Sequence, residues 1–369
     1  MINMSMEEKI FKTFCRERNI SPGSVNVYRH ALNKYLEFTG MTLTELLDEA
    51  DREEEQRIRW KRRTLKTRLI DFRNYLIDYG YAKETINTMM KRVNTFYRHY
   101  EIEIHHLPRV NIQSNVEIRI PTREDLQNAV ESSKPLMKAL ILFLASSGMS
   151  KVDALKLTVG DFINATMEYH NTTNIIEMLN NLKGRDDVIP TFSLTRTKTN
   201  KYHHTFCTPE ATTSIVNYLY SRKDKLTNES PLFKVSYNWL TIKFETLNEN
   251  LNLGVTNGNE YGILRCHTLR KYHATTLRND GLSIDIINAM QGKAKNKVDS
   301  AYYIDTPEQL KEMYMAHVGC LYITDTMKYK SEVEVLKEEN QHYKSNLDNL
   351  WEELNNIKER QNIWEDLKK

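Results

Sequence analysis

Apolar residues recur at helical spacing through the first hundred positions. Between Ser24 and Gly40 the stripe Val25, Tyr28, Leu32, Tyr35 and Leu36 keeps to one face and stops at a glycine, which predicts an amphipathic helix. Thr42-Leu-Thr-Glu45 is a capping-box pattern, so a short helix is expected over 43–50. Two further helices fit 57–79, ending at Gly80, and 83–100, where Thr85, Ile86, Met89, Val93 and Tyr97 share a face. These four elements predict a compact all-helical unit over 1–108. Pro108 and Pro121 then bracket an extended polar stretch with alternating Val116, Ile118 and Ile120, read as a linker over 109–121 with the domain boundary near 112.

Beyond the linker the pattern changes. Thr122 caps a helix with Glu124 and Asp125 in its first turn, and Pro135 to Ser147 reads as a strongly apolar helix ending at Gly148. Val188 to Thr195 and Tyr202 to Phe206, separated by Arg196-Thr-Lys-Thr-Asn-Lys201, read as a β-hairpin, and helices dominate again from Pro209. The expected fold class is mainly α with a small β-hairpin, an α+β unit over 122–326 following the helical one. From Val333 a seven-residue repeat sets in, with Val333, Asn340, Leu347, Leu354 and Gln361 at one core position and Leu336, Tyr343, Leu350, Ile357 and Trp364 at the other. Residues 327–369 are therefore expected to form a long helix, either a coiled coil or a single amphipathic helix folded back on the second unit.

A chain of 369 residues exceeds what one core usually serves, which agrees with two or three domains. Its 40% hydrophobic and 27% charged residues are ordinary for a globular protein, and no apolar run approaches the roughly 18 residues that span a bilayer. The first residues lack the apolar segment of a secretory signal, so a soluble, cytoplasmic protein with no membrane partner is expected. Cys15, Cys207, Cys266 and Cys320 are scattered without a Cys-x-x-Cys pair, so reduced packing cysteines and no metal site are expected.

A net charge of +3 decides nothing, because nucleic-acid binding depends on local patches. Such patches exist in the first unit: Arg57, Arg59, Lys61, Arg62, Arg63, Lys66 and Arg68 surround Trp60, and Lys91, Arg92 and Arg98 follow. They suit neutralisation of duplex phosphates. The alternative is a solvated helix face paired to Glu53, Glu54 and Glu55. In the second unit, His267-Thr-Leu-Arg270 places an imidazole and a guanidinium three residues apart on one helix face, able to address one phosphate. Gln291-Gly292-Lys293 and the pair Tyr302-Tyr303 come next along the chain.

The set Lys198, His267, Arg270, Lys293 and Tyr302 resembles the tyrosine recombinases, or phage-type integrases, most closely those of archaeal viruses and plasmids. Supporting runs are Ser146-Ser-Gly-Met149 into Leu155 to Phe162, Thr195-Arg-Thr-Lys-Thr199 with Thr205 to Ala211, and Asp299 to Leu310. The resemblance implies a helical core-binding unit and a catalytic unit clamped on duplex DNA, and several copies, as a tetramer, on paired sites. It also implies cleavage and rejoining through a 3′-phosphotyrosine with no nucleotide, metal or other cofactor. In these terms Arg270 grips phosphate oxygens, His267 hydrogen-bonds the same phosphate and assists proton transfer, and Lys198 is the general acid, with Lys201 the nearby alternative. Lys293 stands where the family more often has histidine, and Tyr302 is the nucleophile by spacing, with adjacent Tyr303 pointing elsewhere on a helix.

In Gly148-Met-Ser-Lys-Val-Asp153 the sequence departs from the family pattern. The usual first arginine falls on Ser150, leaving Lys151 as the nearby cation or Arg196 as a substitute from the hairpin. The departure also admits a catalytically impaired DNA-binding accessory protein of the same fold. Lys61, Arg62, Arg63, Lys66, Lys91, Arg92 and Lys201 complete the residues expected to meet DNA.

Overall fold

The computed structural model describes residues 6–107, 110, 119–255, 261–293 and 306–326, together with scattered positions between 329 and 351. The chain divides into two compact units, Met1–Asn115 and Val116–Lys369.

The first unit is built from α1 (Met6–Glu17), α2 (Pro22–Thr39), α3 (Leu43–Glu55), α4 (Thr64–Asp78) and α5 (Lys83–His99). Helix α1 has no counterpart among the four expected helices. It buries Phe11 and Phe14 and lends the Glu7 carboxylate to the Leu43 amide at 2.7 Å, a long-range cap for α3 that no local pattern could reveal. The Thr42–Glu45 capping box is present, but α3 runs on to Glu55. The expected helix over 57–79 is divided: Arg57 takes a left-handed φ of 54°, Trp60–Arg62 make one 3₁₀ turn, and α4 starts only at Thr64. Buried Glu53 enforces the break by accepting from the Thr64 and Leu65 amides at 2.5 and 3.4 Å, which caps the new helix. The core is aromatic, with Tyr35 edge-on to Phe72 and its hydroxyl 3.1 Å from that of Tyr97.

The second unit opens with α6 (Arg123–Glu131), capped by Thr122 and Asp125 as its sequence suggests. Helix α7 (Pro135–Ser147) is buried almost throughout, which follows from its apolar run, and packs against α6, α11 (Pro209–Ser221) and α13 (Cys266–Asn279). Short α8 (Lys151–Ala154), α9 (Val159–Ala165) and α10 (Ile175–Leu182) lead to the hairpin. Strands β1 (Thr191–Thr195) and β2 (Tyr202–Phe206) pair antiparallel, Thr191 opposite Phe206 and Thr195 opposite Tyr202. The first strand is thus shorter than the 188–195 expected, because Val188 and Ile189 are buried outside the ladder. Helix α12 (Tyr237–Asn250) precedes α13, and α14 (Ile284–Met290) and α15 (Pro307–His317) follow it.

Among the described residues no helix is long and apolar enough to cross a membrane. In the tail, Val333, Leu336, Tyr343, Leu347 and Leu350 are helical and exposed. The other heptad positions, Asn340, Leu354, Ile357, Gln361 and Trp364, lie outside the described residues.

Candidate active site

Two helix ends in the second unit form the floor of the site. Helix α7 stops at Gly148 and α14 at Gln291-Gly292, with both glycines left-handed at φ 59° and 61°. A Cβ on Gly148 would lie 2.5 Å from Nδ1 of His273 and 2.9 Å from Nε2 of Gln291, and one on Gly292 would lie 2.7 Å from Nδ1 of His203. Backbone conformation and close approach therefore both demand glycine at these two places.

Helix termini leave carbonyls without intrahelical partners, and here side chains from other elements satisfy them. At the end of α7, Tyr314 donates to the Ser146 carbonyl at 2.9 Å, Thr205 to Ser147 at 2.7 Å and Arg270 to Gly148 at 2.6 Å. The turn after α14 is held similarly. Arg270 donates to the Gln291 carbonyl at 2.5 Å, Arg196 and Thr199 to Gly292 at 3.1 and 3.2 Å, and Lys201 to Lys293 at 3.3 Å. Arg270 thus bridges the two helix ends, while Gln291 returns a hydrogen bond to its carbonyl at 3.0 Å.

Arg270 is buried, with 9% of its surface exposed. Burial, followed by the like charge of Arg196, pulls its pKa down to about 10, against which Asp153 works in the opposite direction. Lys293 is lowered by burial and by Arg270 and Arg196. His267, exposed in the first turn of α13, is lowered by desolvation and then by Lys271, Arg265, Arg270 and Lys293, which disfavours its charged form. Buried His203 is likewise lowered, by desolvation first, with Arg270 and Arg196 adding to the shift. Every one of these shifts disfavours positive charge, and Asp153 is the carboxylate that opposes those on Arg270 and His203. Such a cluster favours an anion entering it.

Lys198 is exposed at the hairpin turn, within the segment that Lys201 and Thr199 tie to the 292–293 carbonyls. Lys151 begins α8, but its ammonium lies 3.5 Å above the Tyr237 ring centroid and donates to the Thr241 hydroxyl of α12. Ser150 caps α8, and its hydroxyl donates to Asp153 at 2.6 Å. Tyr302 and Tyr303 lie outside the described residues.

The sequence reading missed Asp153, His203, His273 and Gln291 as parts of this assembly. Asp153 accepts from the Thr197 amide at 2.9 Å as well as from Ser150, which ties α8 to the hairpin. The Ser150-x-x-Asp153 capping pattern was a usable signal for it. His203, His273 and Gln291 gave no local signal, because the glycines and the Arg270 carbonyl that they meet come from elements far apart in the chain.

In the first unit Lys61, Arg62 and Lys91 are exposed, Lys66 is partly exposed, and Arg92 lies over the Tyr28 ring at 4.6 Å. Arg63 differs and requires a correction: it is buried, pairs with Glu54, and donates to the Ile58 carbonyl at 3.0 Å. It holds α3 to the start of α4 and is no free phosphate ligand. Arg68 is similarly paired, to Glu49 at 2.8 Å.

This architecture, an all-helical unit followed by a helical unit with one hairpin around an arginine-centred site, is the fold of a solved site-specific recombinase. Residues 232–319, which carry His267, Arg270 and Lys293, match the archaeal phage integrase family. Among solved structures, the XerH site-specific recombinase bound to its palindromic difH substrate matches with a TM-score of 0.52, at 16% identity, over 84% of this chain and 84% of that one. The same recombinase in its pre-cleavage complex gives 0.49 at 15% identity, over 85% and 82%. The Tn1549 transposon integrase with transposon right end DNA gives 0.47 at 12% identity, over 84% and 98%. No curated protein matches the chain in sequence.

Proposed function

We propose that the protein is a site-specific DNA recombinase that cleaves and rejoins duplex DNA through a 3′-phosphotyrosine, with copies assembling as a tetramer on paired sites. One observation carries this reading: Arg196, Arg270 and Lys293 converge on the 291–293 turn beside exposed His267, whose charged form is disfavoured, and among the described residues Asp153 is the carboxylate that opposes their charge on Arg270. A scissile phosphodiester supplies the missing anion. Its charge grows on the way to the pentavalent transition state, where preorganised donors act most strongly.

In the step proposed, the Tyr302 phenol oxygen bonds to phosphorus and the bond from phosphorus to the 5′-oxygen breaks. The phenolic proton passes to an acceptor, for which neutral His267 is suited, and Lys198, or Lys201 beside it, gives a proton to the departing 5′-oxygen. One phosphodiester replaces another. The reverse reaction therefore reseals the strand without nucleotide, metal or other cofactor. Exposed Lys61, Arg62 and Lys91, with Lys66, Arg92 and Lys201, supply contacts to the DNA backbone in this reading. A duplex with a nick beside the cleavage point tests it: the cut fragment diffuses away and the protein is left covalently attached.

A second reading, a DNA-binding accessory protein without cleavage, is favoured by Ser150 and Lys151. Neither carries a guanidinium, and the first is engaged with Asp153 and the second with α12. Any covalent protein–DNA adduct rules this reading out.

A further inference from the structure

We infer that Arg196 is the second guanidinium of the phosphate site, supplied by the hairpin in place of an arginine at position 150. The inference rests on the transesterase reading and specifies its chemistry. At position 150 the side chain is a serine turned into its own helix cap, and the Lys151 ammonium is turned onto α12, over the Tyr237 ring and donating to the Thr241 hydroxyl. The charge of Arg196, in contrast, reaches Arg270, Lys293, His203 and Asp153, the groups that form the site.

Its backbone is tied on both sides of the turn. The Arg196 amide donates to the Lys201 carbonyl at 2.8 Å, and the Asn200 amide donates to the Arg196 carbonyl at 2.9 Å. The next residue, Thr197, is fixed by its amide on Asp153 at 2.9 Å, and Thr199 holds the turn to the Gly292 carbonyl at 3.2 Å. The guanidinium is thus delivered by a preorganised turn. Nη1 takes the Gly292 carbonyl at 3.1 Å, while buried Nε has no acceptor among the described residues. A guanidinium has five N–H donors, so it can hold the turn with one and still present others to a non-bridging phosphate oxygen. Arg270 does the corresponding work from the neighbouring Gln291 carbonyl, so the two guanidinium groups lie on successive peptide units.

The competing role is a pin that fixes the hairpin to the 292 turn. Removing a charge from the substrate separates the two. The probe is a nicked duplex obtained by repeated binding selection from a randomised pool, its cleavage position mapped with the wild-type protein. It is then made with either a phosphate or an uncharged methylphosphonate at that position. Arg196→Ala in the full chain should form adduct about a hundred-fold more slowly than wild type on the phosphate, the loss expected for one transition-state donor. On the methylphosphonate, which has less charge to stabilise, it should approach the wild-type rate. Arg196→Lys, which keeps charge without the fork, should fall between.

Thr199→Val, which removes only a pin, should show the same deficit on both substrates. If Arg196→Ala fails to fold, Arg196→Met provides the same comparison. An equal deficit for Arg196→Ala on both substrates, or none on the phosphate, overturns the inference and makes Arg196 a pin. If the wild type yields no adduct on any selected duplex, the transesterase reading itself fails and the inference with it.

Discussion

The buried charges of the first unit and the buried arginine at the centre of the candidate site in the second are held in opposite ways. In the first, buried Lys34, Glu53 and Arg63 are each matched: Lys34 by Glu37, Arg63 by Glu54, and Glu53 by the amides that open α4. In the second, buried Arg270 is held by two carbonyls and has no carboxylate in ion-pair contact among the described residues, while Arg196 adds a like charge. Charge matched within the fold supports structure. Charge left in excess, at a point where two helix ends and a hairpin converge, marks a place prepared for a ligand of opposite sign.

The largest effect should come from Arg270. Arg270→Lys should keep duplex binding but lower single-turnover adduct formation by about 10²- to 10³-fold, because a point charge cannot reproduce the fork. Arg270→Ala should in addition destabilise the second unit by about 2–5 kcal/mol in urea unfolding, since the Gly148 and Gln291 carbonyls lose their donors. The matched arginine should behave in the opposite way. Arg63→Ala should cost about 2 kcal/mol in the first unit, with little change in the salt dependence of DNA binding. Replacing Lys61 and Arg62 together should leave stability within about 0.5 kcal/mol. It should lower the salt slope by about one for each phosphate contact removed. A salt slope that falls with Arg63 and not with Lys61 and Arg62 would erase the distinction.

Glycines sharpen the same contrast. Gly40→Ala meets open space and should cost about 1 kcal/mol for its left-handed φ of 67°. Gly292→Ala must also displace the His203 ring and should cost at least about 2 kcal/mol, read as a lower melting temperature.

A further difference should appear in pH. His273 is buried and its pKa is depressed to about 3, and that of His203 is also lowered, in each case chiefly by burial. For a group whose folded pKa lies below the unfolded one, the unfolded chain takes up the proton first. Stability from these histidines is therefore complete above about pH 6.5 and falls as the pH drops below it, by at most about 1.4 kcal/mol per pH unit for each. Denaturant melts at pH 7.5 and 5.5 should show this fall in the second unit, and His273→Gln should reduce it. A stability independent of pH over that interval would mean that the buried imidazole is compensated.

Much of this was legible in the sequence, and the misses have physical causes. Local signals carried α2, the capping boxes at Thr42 and Thr122, the apolar α7 and the hairpin, because each depends on residues within a few positions. The sequence reading missed α1 and the break before α4, since Glu7 and Glu53 act as caps across 36 and 11 residues. In the candidate site, His267, Arg270 and Lys293 were singled out by spacing and resemblance, whereas the union of Gly148, Gly292, Asp153, His203 and His273 depends on elements far apart in the chain. Arg63 was misread because a basic run does not reveal which of its members faces a carboxylate.

The most direct test of an active transesterase is a nicked-duplex trap followed by digestion and mass mapping of the DNA-linked peptide. The account predicts one covalent adduct at Tyr302, abolished in Tyr302→Phe and retained in Tyr303→Phe. No adduct on selected duplexes, or full trapping by Tyr302→Phe, would contradict it.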